Sequence, residues 1–158
     1  MLKKLLLLSS VLVLAATPFA KADPIGTTAI FSLTQDGCTG TCGTGPFGTI
    51  TLVRHTSTQV TVTETLSSHV AFVATGAGKS LEFSLKGNPA ITLGDITTGF
   101  KSSGAATAST FGSFEYSLTC SGLSCGPGAS KTNAGPLSFT VTSMGGVSVS
   151  DFIANPKG

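Results

Sequence analysis

The chain has 158 residues, 41% of them hydrophobic and only 10% charged, with a formal charge of +2. That length suits one domain with a real core. Regularly spaced Phe, Val, Ile and Leu exclude a disordered chain, and the absence of any run of like charge excludes nucleic acid as the expected partner.

The first element is a leader. Lys3 and Lys4 precede an apolar run from Leu5 to Ala16, broken only by Ser9 and Ser10. Pro18 and the small-residue pattern Ala20-Lys21-Ala22 follow. These are the basic, apolar and cleavage zones of a secretory signal peptide, so cleavage is expected after Ala22. The apolar run is too short to cross a ~30 Å hydrocarbon layer as a helix, and no membrane span is expected after cleavage. No Cys follows it closely enough for lipoprotein processing. Losing residues 1–22 removes Lys3, Lys4 and Lys21 and leaves six cations against seven acids, a net charge of −1. The basic balance therefore belongs to the leader.

The remainder, 23–158, shows period-two alternation and no useful helical periodicity. In chain order the runs are Ala29-x-Phe31-x-Leu33, Ile50-x-Leu52, Val60-x-Val62, Leu81-x-Phe83-x-Leu85, Phe114-x-Tyr116-x-Leu118, Leu137-x-Phe139-x-Val141 and Val147-x-Val149. Such strands have one dry face and one wet face. Turn clusters rich in Gly and Pro separate them, at Asp36-Gly37, 43–48, 75–79, 86–89, 126–135 and Gly145-Gly146. Residues 97–110 are rich in Ser, Ala and Gly and read as a loop. The pattern predicts one all-β domain, an antiparallel β-sandwich of eight or nine short strands.

One order of parts occurs twice. Phe31-Ser32-Leu33-Thr34 leads to Cys38 and Cys42, then Gly45-Pro46-Phe47 and the strand from Ile50. Tyr116-Ser117-Leu118-Thr119 leads to Cys120 and Cys125, then Gly135-Pro136-Leu137 and the strand from Phe139. The echo predicts two similar hairpins; chance matching in a sequence of low complexity is the alternative.

Four cysteines in an exported chain are expected to form two disulfides, with three pairings open. Cys38–Cys42 and Cys120–Cys125 are favoured, each flanking a Gly-containing loop, and the crossed pairings, which close loops of roughly eighty residues, are the alternative. A four-thiolate zinc site is disfavoured, because the spacings are C-x3-C and C-x4-C and not C-x2-C. No C-x-x-C redox motif exists.

Other motifs fall short of chemistry. Gly76-Ala77-Gly78-Lys79-Ser80 resembles the tail of a phosphate-binding loop, but Val73 stands where the first Gly is needed and a strand follows. His55 and His69 sit beside polar neighbours, as strand-end surface residues do, and no G-x-S-x-G elbow occurs. The acids Asp23, Asp36, Asp95, Asp151, Glu64, Glu82 and Glu115 are scattered singly, the Glu residues mostly on the polar phase of strands. A glycosidase needs a close pair of them, and calcium needs clustered oxygens. Trp is absent and Tyr116 is the single Tyr, which argues against a sugar-stacking platform. No catalytic residue, cofactor or metal site is expected.

Ala22-Asp23-Pro24-Ile25, Cys38-Thr39-Gly40-Thr41-Cys42-Gly43, Gly45-Pro46-Phe47-Gly48-Thr49-Ile50, Phe111-Gly112-Ser113-Phe114-Glu115-Tyr116, Gly135-Pro136-Leu137-Ser138-Phe139-Thr140-Val141 and Val149-Ser150-Asp151-Phe152-Ile153-Ala154-Asn155 complete the pattern. Taken with the leader, the sequence resembles exported bacterial proteins of the PEP-CTERM sorting type. The resemblance implies a secreted or cell-surface protein of the envelope or extracellular polymer matrix. Its role would be structural and non-enzymatic, and extracellular polysaccharide is a candidate partner. A module binding polysaccharide or metal is the alternative. The Pro-Glu-Pro tripeptide, apolar helix and basic cluster that end such proteins are missing before Gly158. The expectation is either a freely secreted relative or a C-terminal truncation that removes one or two strands.

Overall fold

The computed structural model describes residues 23–34, 43–74, 79–108, 111–122, 124–126 and 130–153. The leader with Ala20 and Ala22, and the Cys38/Cys42 loop, lie outside the described residues. The described chain is all-β, with eleven short strands and one 3-10 turn; nine of the strands form the two antiparallel sheets of a sandwich. None of its helices is long and apolar enough to cross a membrane.

One sheet has five strands in the order β1-β2-β3-β10-β5. These are β1 (Thr28–Leu33), β2 (Gly48–Thr56), β3 (Gln59–Leu66), β5 (Thr92–Gly94) and β10 (Leu137–Thr142). The second sheet has the order β11-β4-β9-β6, built from β4 (Leu81–Leu85), β6 (Phe100–Ser102), β9 (Tyr116–Cys120) and β11 (Phe152–Ile153). A separate two-stranded hairpin joins β7 (Ala106–Ala108) to β8 (Gly112–Phe114).

Alternation explains the long strands. On β10, Leu137, Phe139 and Val141 are buried while Ser138, Thr140 and Thr142 are less so. β3 pairs Val62 with Phe139 and Val60 with Val141, so four apolar side chains meet on one face. Each such fully buried side chain contributes about 1.5–3 kcal/mol. Across the sandwich, the Phe83 ring lies 5.7 Å from the Phe139 ring, and Phe72 meets Phe100 edge-on at 5.0 Å. β2 enters this packing at Gly48, where an added Cβ would meet the Thr65 carbonyl at 2.5 Å. Only Gly lets β2 and β3 approach that closely.

The strands beyond the expected eight or nine are short. Residues 97–110, read as a loop, hold β6 and β7. β6 is fixed by one buried ring, Phe100, opposite Cys120, and a three-residue strand is too short to show a period. The Phe114–Leu118 run is two strands, broken at Glu115. Val147 and Val149 are both buried, but by a turn and not by the expected strand. Ser148-Val149-Ser150-Asp151 is a capping-box sequence. The Asp151 carboxylate accepts from Ser148 N at 2.7 Å and from Ser148 Oγ at 2.8 Å, and this closes the 3-10 turn.

The repeated order of parts does not give two similar hairpins. β1 and β2 pair directly, whereas β9 and β10 lie in different sheets, so the second unit arches from one sheet to the other. The two units do share a cis bond, at Gly45-Pro46 and at Gly135-Pro136.

Candidate functional site

A cavity of about 340 Å³ opens between the sheets, on the side bounded by the edge strands β1 and β11. The five-stranded sheet contributes Phe31, Ser32, Ile50, Leu52 and Val62. Phe31, Ile50, Leu52 and Val62 share a face by register, Phe31 opposite Ile50 and Leu52 opposite Val62, and Ser32 borders the space from the strand edge. The four-stranded sheet contributes Leu81, Phe83 and Phe152, whose Phe83 and Phe152 rings stack at 5.7 Å. Glu82 and Ser84 also line the space. Successive residues of a strand point to opposite faces, so the cavity runs from the sandwich interior around β4. There Phe111 and Phe114 of the β7–β8 hairpin cover it.

The walls are therefore aromatic and aliphatic, drawn from six strands and one turn. Among the described residues, Glu82 is the single ionisable lining group. It sits opposite Ser117, and its Oε2 is buried with no hydrogen-bond partner. Burial raises its pKa, and the nearby Lys79 ammonium pulls the other way. Lys79 is itself held by a 2.8 Å bond from Nζ to Ser103 Oγ. Ser117, on the far face of β9, is fully buried and donates to Gly104 O at 2.7 Å. A site of this build can hold an apolar group and hydrogen-bond one polar atom, which is the usual make-up of a small-ligand pocket. General acid–base cleavage of a sugar needs a second carboxyl group, and Glu82 is the one acid among the described lining residues.

The remaining candidates are dispersed. Cys120 and Cys125 are bonded to each other and buried, so neither thiol is free to hold zinc. His55 is exposed, the extra residue where the β2–β3 register shifts between Arg54 and Thr56. His69 is exposed in the turn after β3. Among the described residues, no three of His, Cys, Asp and Glu are grouped to hold a metal ion. Gly76, Ala77 and Gly78 lie outside the described residues, and the strand expected after Ser80 is β4. Ser80 Oγ accepts from Cys120 N at 2.8 Å, a bond that ties two strands together.

One acid departs from the polar phase expected of the Glu residues. Glu64 follows Val60 and Val62 on the inward face of β3 and is 4% exposed. Its Oε2 has no hydrogen-bond partner, and burial pushes its pKa up to about 8. The spacing Val60-x-Val62-x-Glu64-x-Leu66 carries the signal for this, since parity alone places it inside. The cavity walls carry no comparable signal, because their Phe residues are widely separated in sequence. Comparison with known proteins returns no matching family model, no matching curated protein and no matching solved structure.

Proposed function

We propose that this chain is an exported, non-enzymatic protein with a structural role at the cell surface or in the extracellular matrix, and that its working site is the apolar groove between the sheets. The groove carries the reading. Five Phe side chains and one isolated carboxylate suit retention of an apolar moiety and not turnover of a polar one. Export is supported by the leader and by the Cys120–Cys125 bond, since disulfides persist mainly in oxidising compartments.

The test is titration with N-phenyl-1-naphthylamine, whose emission rises in apolar surroundings; the chain has no Trp to interfere. Saturable binding is expected, weakened about three- to tenfold by Phe114→Ala, the loss that one aromatic wall should cause. Failure of the probe to saturate overturns the groove. Saturable binding of exopolysaccharide by a protein that ignores the probe would replace it with the sugar-binding alternative. Fractionation tests export separately: the exported form should begin at Asp23.

A further inference from the structure

We infer that β1 is a self-pairing edge, through which two copies of this chain form a closed, two-fold dimer with a continuous ten-stranded sheet. The inference is independent of what occupies the groove.

Among the described residues the two sheets have four edge strands, and three of them are blunted. β5 is three residues long and runs into Asp95, at φ +48°. β6 is three residues long with an exposed Lys101 at its centre. β11 is two residues long. Short edges and edge lysines are the usual devices that prevent strand addition. β1 has none of them. It is six residues long and pairs with β2 without a register shift. No charge or Pro interrupts Thr28–Leu33. Of the four exposed large hydrophobic residues among the described ones, two sit on it, Ile30 at 67% and Phe31 at 48%.

The backbone is set for a partner. Thr27 O accepts from Arg54 N at 2.9 Å and Leu33 O accepts from Phe47 N at 2.7 Å, so odd-numbered residues turn toward the β2 side. By the alternation of an antiparallel ladder, Thr28, Ile30 and Ser32 turn their N–H and C=O groups to the open edge. Two-fold pairing with Ile30 opposite its own copy joins all three by six hydrogen bonds. It also sets Ala29 opposite Phe31 on the inner face, small against large, and brings no like charges together.

Size and closure follow. An edge about 20 Å long and about 10 Å deep presents on the order of 200 Å² per copy, a quarter of the ~800 Å² per partner in a standard interface. The dimer is therefore weak and concentration-dependent. It also ends at two copies, because β5 at the far side of the sheet cannot continue the ladder and self-pairing uses up β1.

Sedimentation equilibrium of the purified protein, its N-terminus read by mass spectrometry, tests this between about 10 μM and 1 mM, the range a small interface implies. A monomer–dimer equilibrium is expected, and Ile30→Lys should raise its dissociation constant at least about tenfold. Ile30 faces away from the groove, so the same variant should bind the apolar probe unchanged. Hydrogen exchange gives a second readout. Amides of Thr28, Ile30 and Ser32 should slow as concentration rises, while those of Ala29 and Phe31 stay protected throughout. A monomer across the whole range, a dimer that Ile30→Lys leaves intact, or open-ended polymer would each overturn the proposal.

Discussion

The β2–β3 hairpin buries two charged side chains on one face, and it treats them differently. Arg54 lies opposite Val60 near the turn, and Glu64 lies opposite Ile50 four residues further along, about 13 Å away at strand rise. Both are nearly inaccessible, at 5% and 4%. Arg54 donates from Nε to Thr56 O at 3.1 Å and from Nη2 to Ser57 O at 3.3 Å. The turn and the register shift leave carbonyls there for a side chain to use. Glu64 has β2 on one side and β10 on the other, so its backbone neighbours Ile50 and Leu137 are committed to the ladder. Nothing is left to meet its Oε2, and a proton settles the account. Position along one hairpin thus decides whether a buried charge survives. Near the turn it finds partners; in mid-sheet it is neutralised.

The largest expected effect comes from titrating the mid-sheet acid. The folded pKa of Glu64, about 8, lies above its ordinary value of 4.5, so the folded state holds a proton that the unfolded chain releases first. Its contribution is complete below pH 4.5 and is lost as pH rises toward 8. Stability should fall by about 1.4 kcal/mol per pH unit across that window, on the order of 4–5 kcal/mol in all. Urea denaturation from pH 4.5 to 9 measures the slope, and Glu64→Leu should remove most of it, leaving the smaller part due to Glu82, and make the protein more stable than wild type at pH 9. An unchanged slope in that variant would mean that Glu64 is not the buried proton.

The turn end should behave oppositely. Arg54→Ala removes two hydrogen bonds and the packing of a long stem, at a cost of about 2–3 kcal/mol. The cost should be the same at every pH in the window, because it comes from lost hydrogen bonds and packing; a variant that altered the Glu64 slope would show that the two ends sense each other. Reduction of Cys120–Cys125, on the opposite sheet, is the reference for a loss independent of either charge. Closure of so short a loop contributes about 2 kcal/mol at most in the chain-entropy account. Denaturation with and without reductant should therefore shift the whole pH profile down in parallel.

How much of this was legible before the structure follows from the same physics. β2, β3, β4 and β10 are long enough to show their period, and the structure bears out the all-β antiparallel sandwich. Alternation also carried the inward position of Glu64, but a general expectation that acids sit on the wet face overrode the parity of Val60 and Val62. Three-residue strands such as β6 have no period to read, and Phe100 becomes informative only once Cys120 lies opposite it. The Val147-x-Val149 alternation misled because Ser148 and Asp151 cap a 3-10 turn that buries the same two side chains. The groove could not be read at all. Its walls depend on which sheet each strand joins, and β9-to-β10 is a crossing where the repeated motif predicted a hairpin.

The smallest effect probes how far the surviving charge reaches. Asp23 Oδ2 accepts from Ser150 N at 2.8 Å, and this bond is the main cause that lowers its pKa. The Ser150 hydroxyl adds to it, and the Arg54 charge contributes a weaker pull in the same direction. A lowered carboxylate stabilises above its ordinary pKa and loses that contribution as pH falls through the lowered value, the reverse of Glu64. Asp23 is half-buried at the surface, where solvent still screens the interaction, so global stability should barely change in Asp23→Asn. The local effect should still be measurable: the Ser150 amide should exchange faster in the variant at neutral pH, and in wild type only once acid protonates Asp23. In Arg54→Ala the acid midpoint of that protection should move upward, toward the ordinary carboxylate value. An unmoved midpoint would confine the influence of Arg54 to the two carbonyls it bonds, and the hairpin turn would then satisfy its charge without help from the N-terminal segment.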